Sequence, residues 1–249
     1  MLRMVFCMCL LWWTLPAHAT LLEVVTEEGP PLQYLEQGQI RGAGAEFVER
    51  LLHRAGYSYR LSMVPWARAE LMATTQPNVL IFSIARTPIR ESQYQWIGRL
   101  LTIQYSLFRL GSRGDIQLER LEDAKVWRIG VVKGDVRANW LRDQGFAYAS
   151  GTGPGLEEAP TPFDNLRKLQ AGRVDLIPSS TLGLVGFCQQ TGQRCDQLLP
   201  ILDLPFRAEL YLAASQGTAP DVLDRLRKAY GQLIKDGSYD RMLGGYQAQ

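Results

Sequence analysis

The stretch Ser83-Ile84-Ala85-Arg86-Thr87-Pro88-Ile89-Arg90-Glu91 follows the apolar run Val79-Leu80-Ile81-Phe82. A short, β-rich apolar run bounded by polar turn chemistry reads as a buried strand. A strand that stops in such a turn has the build of a ligand site, because ligands of α/β sheets collect where strands end. Two guanidinium groups, Arg86 and Arg90, stand at this one. Arg90 carries the reading, since its planar fork can bond both oxygens of a carboxylate at once.

Upstream, Leu21 to Thr26 reads as a first strand, and Glu27-Glu28-Gly29-Pro30-Pro31 is a turn that no helix or central strand tolerates. Phe47, Leu51, Leu52 and Ala55 recur at helical spacing, with Gly56 closing the helix. Tyr57 to Val64 is the next strand, and Pro65-Trp66-Ala67-Arg68-Ala69 opens a helix that runs to about Thr74. Trp66 is placed to stack on a ligand or on Arg68. This β-α-β order implies parallel strands with right-handed crossovers.

Downstream, Thr102 to Leu110 alternates as a strand, and Gly111-Ser112-Arg113-Gly114-Asp115 has the composition of a linker between domains. A short helix at Leu118 to Asp123, a strand at Trp127 to Val132 and a helix from Asp135 to about Gln144 follow, with Asp135 favourable at the helix start. Thr161-Pro162-Phe163-Asp164 is a capping-box variant with proline in the first turn, starting a helix that ends at Gly172. Leu198 to Leu204 and Leu210 to Ser215 read as strands, and Pro220 to Gly237 as a closing helix with Val222, Leu223, Leu226, Ala229, Tyr230 and Leu233 on one face.

The 249 residues are 46% hydrophobic and 21% charged, enough for two modest domains. A formal charge of +2 with no Lys/Arg run excludes the basic excess of a nucleic-acid binder. Met1 to Ala19, with Arg3, an apolar middle and Ala17-His18-Ala19, has the signature of a cleaved secretory leader. Cys7 and Cys9 leave with it, so Cys188 and Cys195 are expected to form a loop disulfide in an oxidising compartment. His53 is then the sole histidine, without a Ser-His or Cys-His partner, and no metal or cofactor is expected.

The segment ending in Arg90 resembles the Thr-x-Thr-x-Glu-Arg segment of the family 3 extracellular solute-binding proteins, receptors of polar amino-acid ABC transporters. Gly172-Arg173-Val174-Asp175-Leu176-Ile177-Pro178-Ser179-Ser180 is similar to that family's Gly-Arg-x-Asp-Ala-x-x-x-Asp. Lys235-Asp236-Gly237-Ser238-Tyr239-Asp240-Arg241-Met242-Leu243 is similar to its Lys-x-Asp-Gly-Thr-Tyr-x-x-Ile. The resemblance implies an α/β, two-lobed periplasmic-binding-protein type II fold, each lobe a mainly parallel sheet flanked by helices, with two hinge crossings. Residues 20–109 and 210–249 would form lobe 1 and residues 110–209 lobe 2, after a leader at 1–19.

The resemblance further implies that Arg90 clamps a ligand carboxylate, with Ser83 and Ala85 at the family's two hydroxyl positions and Glu27 or Glu28 near a ligand ammonium. Three positions depart from the family: Ala85 lacks the hydroxyl, Asp135 brings a charge where Thr or Ser is usual, and Ser180 replaces the carboxylate that pairs with an α-ammonium. The expectation is therefore a monomeric periplasmic receptor for a small, carboxylate-bearing solute, read by an ABC permease. The alternatives are a transporter-less receptor or sensor partner on the same fold, and a dehydratase-like enzyme using the carboxylates of Glu27, Glu28 or Glu46.

Overall fold

In the computed structural model, residues 21–192 and 194–247 are described, and the expected leader lies outside them. Strand β1 (Leu21–Thr26) leads through the Glu27–Pro31 turn into a hairpin of β2 (Tyr34–Glu36) and β3 (Gln39–Arg41). Helix α1 (Ala43–Ala55) stops at Gly56, whose φ of 76° is the left-handed conformation glycine adopts without steric cost. Then come β4 (Ser58–Met63), α2 (Trp66–Thr75) and β5 (Val79–Ala85). β4, β1 and β5 lie side by side and parallel, in that order.

β5 is buried along nearly its whole length because helices cover both faces of this sheet. Val24, Leu80 and Phe82 pack with Phe47, Val48 and Leu51 of α1, while Val25 and Ile81, one residue along each strand, pack with Trp66, Ala69 and Ala73 of α2. The strand period of two sorts them to opposite sides. Each fully buried side chain of this size contributes about 1.5–3 kcal/mol relative to exposure.

Strand β6 (Tyr94–Leu110) carries the chain out of this half. The second half holds β7 (Arg128–Val132), α3 (Val136–Asp143), β8 (Gly155–Ala159), α4 (Pro162–Gln170), β9 (Ile177–Ser179) and α5 (Thr181–Thr191). β7 runs parallel to β8 and bridges in parallel to Leu176, just before β9, and β9 pairs with β6 at Ser106 to Phe108. Strand β10 (Leu198–Ser215) returns antiparallel to β6 and then to β5, and helices α6 (Pro220–Lys235) and α7 (Ser238–Leu243) close on α1. Cys188 and Cys195 form a disulfide at the C-terminal end of α5.

The two crossings lie inside the long strands β6 and β10. Their pairing breaks register between Asp203 and Arg207, where Gln104 Nε2 donates to the carbonyls of Leu204 (2.7 Å) and Phe206 (3.4 Å). Gly111–Asp115, expected as the first crossing, is the turn at the far end of β6.

Candidate ligand-binding site

Where the two halves face each other, a cavity of about 90 Å³ is lined from one side by Glu27, Glu28, Trp66, Ser83, Ala85 and Arg90. Asp135, Arg137, Ser179 and Ser180 line it from the other, and Tyr105 of β6 lies between. That is well above the roughly 10–15 Å³ a cavity needs to hold a single water, so there is room for a small solute. Arg68, also expected here, is exposed on α2: it sits two residues from Trp66, which turns it to another face of the helix. Arg86 bonds Glu91, with its Nε 2.8 Å from Glu91 Oε2, and stacks on Trp96 and Tyr211. Glu46 is exposed in the first turn of α1.

Arg90 is 5% exposed, and its fork is already filled. Glu70 Oε1 accepts from its Nε (3.1 Å) and Nη2 (2.7 Å), Ala85 O from Nη1 (3.3 Å) and Gly134 O from Nη2 (3.3 Å). The guanidinium lies 5.3 Å from the Trp66 ring centre. Glu70 was not singled out in the sequence. The signal was present: Trp66 and Glu70 are four apart on α2 and so share its face.

The opposite wall repeats the arrangement. Asp135 caps α3 by accepting from Arg137 N (2.7 Å), and its two oxygens also take Arg137 Nε (2.6 Å) and Nη2 (2.8 Å). Arg137 Nη1 donates to Pro178 O (3.3 Å), and its guanidinium lies 5.1 Å from the Tyr105 ring centre. Two residues past its cap, Arg137 was missed because a local reading gives it only the role of a helix surface cation. Burial pushes the Tyr105 phenol up to about 12.

Glu27, like Glu28, has no guanidinium of its own. Its Oε2 is buried and has no hydrogen-bond partner, and burial, then the charge of Asp135, raises its pKa from 4.5 to about 8. Glu28 accepts from Gln190 Nε2 of α5 (2.7 Å). Ser83, at a φ of 59° unusual for a residue with a side chain, donates to Gln33 Oε1 (2.9 Å), and Ser180 Oγ caps α5 by accepting from Gly183 N (3.1 Å). Among the described residues no cluster of His, Cys, Asp and Glu could hold a metal ion.

No known family model matches the chain, and no curated protein matches it in sequence. Solved structures do. A histidine kinase sensor domain with similarity to periplasmic binding proteins superposes with a TM-score of 0.79 at 18% identity, over 91% of this chain and 96% of that one. The arginine-, lysine-, histidine-binding protein ArtJ from Geobacillus stearothermophilus gives 0.76 at 15% identity, over 90% and 96%. An ancestral arginine-binding protein bound to arginine gives 0.75 at 18% identity, over 90% and 97%. At these identities the likeness establishes the fold, the two-lobed periplasmic-binding-protein type II architecture.

Proposed function

We propose that the chain is an exported, periplasmic receptor that holds a small polar solute between its two halves and presents the closed form to a protein of the inner membrane. The observation that carries this reading is the cavity itself: it lies between two walls, each furnished with a buried guanidinium on an aromatic ring. A ligand touching both walls favours the closed state by the difference in its affinity for closed and open forms. Binding rather than catalysis is supported by the character of the similar structures, which are binding proteins and a sensor domain.

The membrane partner is an ABC permease in the first reading. The likeness to a kinase sensor domain favours a second, in which the receptor serves a signalling protein without a transporter. Cross-linking in intact membranes separates them: capture of a permease subunit supports the first, capture of a sensor kinase the second.

Thermal shift of the mature protein against amino acids, organic acids, amines and sugars tests the receptor reading. A bound solute at a hundred times its Kd stabilises by about 2.7 kcal/mol, a shift of several degrees for a protein of this size. Absence of any shift across the collection, with no solute co-purifying in native mass spectrometry, would overturn it.

A further inference from the structure

Four of the charges at the cavity sort into pairs. Arg90 is matched by Glu70 and Arg137 by Asp135, each at hydrogen-bonding distance, and both guanidinium groups lie on aromatic rings. A carboxylate entering the cavity would have to displace Glu70 from Arg90 or Asp135 from Arg137, and either displaced acid would then be left partly buried without a counter-ion. Glu70 occupies the place on the Arg90 fork that a bound carboxylate would take.

What the site lacks is a partner for Glu27. Its Oε2 is buried and unpaired, and the ionised groups around it are Asp135, Arg137, Arg90 and Glu70, two of each sign, with the Tyr105 phenol beside them. With Glu27 ionised, this set carries one net negative charge, and the Glu28 carboxylate, which also lines the cavity and accepts from the neutral Gln190, adds to it. An N–H-bearing cation supplies both the missing charge and the missing hydrogen-bond donor. The Trp66 and Tyr105 rings already hold guanidinium groups, so recognition by hydrogen bonding is favoured over the aromatic caging of a quaternary ammonium.

We infer that the cavity takes a small organic cation with N–H donors and no carboxylate, Glu27 acting as its counter-ion and Glu70 as the internal substitute for a ligand carboxylate on Arg90. This rests on the receptor reading above and narrows its ligand. Burial raises the Glu27 carboxyl to about 8, so pairing with the cation would release its proton to solvent: the O–H bond of Glu27 breaks, the buffer takes the proton, and the carboxylate faces the cation.

The test is calorimetry of the mature protein with matched probes, each an amino acid and its decarboxylated amine: lysine with cadaverine, and arginine with agmatine. The expected result is an amine bound at least tenfold more tightly than its parent, with about one proton released per ligand at pH 7 and far less at about pH 9, where Glu27 is already largely ionised while the amine remains charged. Glu27→Gln is expected to weaken amine binding at least tenfold and abolish the proton release. Glu70→Gln, which frees the Arg90 fork, is expected to shift preference at least tenfold toward the parent amino acid. The wild-type panel decides even where a variant fails to fold. Tighter binding of lysine or arginine than of its amine, or binding of the amine without proton release, would overturn the inference. If neither amine binds but another solute stabilises the protein in the thermal-shift collection, this inference fails and the receptor reading stands; if no solute binds, both fail.

Discussion

Removing Arg90 would leave Glu70 facing a hydrophobic shelf at Trp66 with no positive charge against it. Breaking one side of a buried pair is costlier than removing both, because the survivor keeps its desolvation penalty. Arg90→Ala is expected to lose about 3 kcal/mol in urea denaturation, and Arg90→Met with Glu70→Leu distinctly less. The single variant therefore reports on folding before it reports on ligand.

Glu27 gives a second prediction at this scale. Burial and the neighbouring Asp135 raise its carboxyl from 4.5 to about 8, so the folded chain retains a proton that the unfolded chain has lost. Its contribution to stability is complete below the unfolded value, declines as pH rises and is gone above about pH 8. Urea midpoints of the empty protein should fall between pH 5 and pH 8, and Glu27→Gln should flatten that fall. Arg90 was legible in the sequence because a strand end and a turn locate it. Its pairing with Glu70 was not, because a local pattern sets a residue's position but not its tertiary partner.

Among the elements, α5 approaches the Glu27–Pro31 turn of the first half closely. A Cβ on Gly186 would stand 2.5 Å from the Pro30 carbonyl carbon and 2.7 Å from Pro31 N, both backbone atoms that cannot turn aside. Gly186→Ala is therefore expected to wedge the halves apart. Small-angle scattering should show a larger radius of gyration, and any ligand held by the closed form should bind at least tenfold more weakly, with little loss of helix by circular dichroism. Most helices are legible in the sequence, since caps such as Thr161, whose Oγ1 accepts from Asp164 N at 3.1 Å, are local chemistry, but α5 is not, its apolar residues setting no helical period. The strands were read in pieces. Gly98 and Arg99 interrupt the pattern of β6, and Pro200 and Pro205 that of β10, so two continuous strands looked like several. β8, with Glu157 and Glu158, and the β2–β3 hairpin went unread because neither has an apolar run.

For the whole molecule, the alternation of strand and helix and the Lys235–Leu243 tail were sufficient to point to the fold, because those signals repeat along the chain. The ligand was less legible, since charge balance in the cavity depends on Glu70 and Arg137, which lie outside the motifs that suggested it. The disulfide stands apart from this balance. Cys188 and Cys195 are separated by 7 in sequence and fasten the end of α5 to the following loop. Replacing both with serine should lower stability by about 2–3 kcal/mol in chemical denaturation, without changing ligand preference in calorimetry.

Arg90 spans the gap: it is anchored on Glu70 and reaches the Gly134 carbonyl beyond it, while Gln190 reaches back to Glu28 and the Leu35 carbonyl. The two halves are thus joined in part by the chain's own hydrogen bonds. Under the receptor reading proposed above, a membrane partner that recognises the shut shape would register some of it without a solute, and a solute would add to that level.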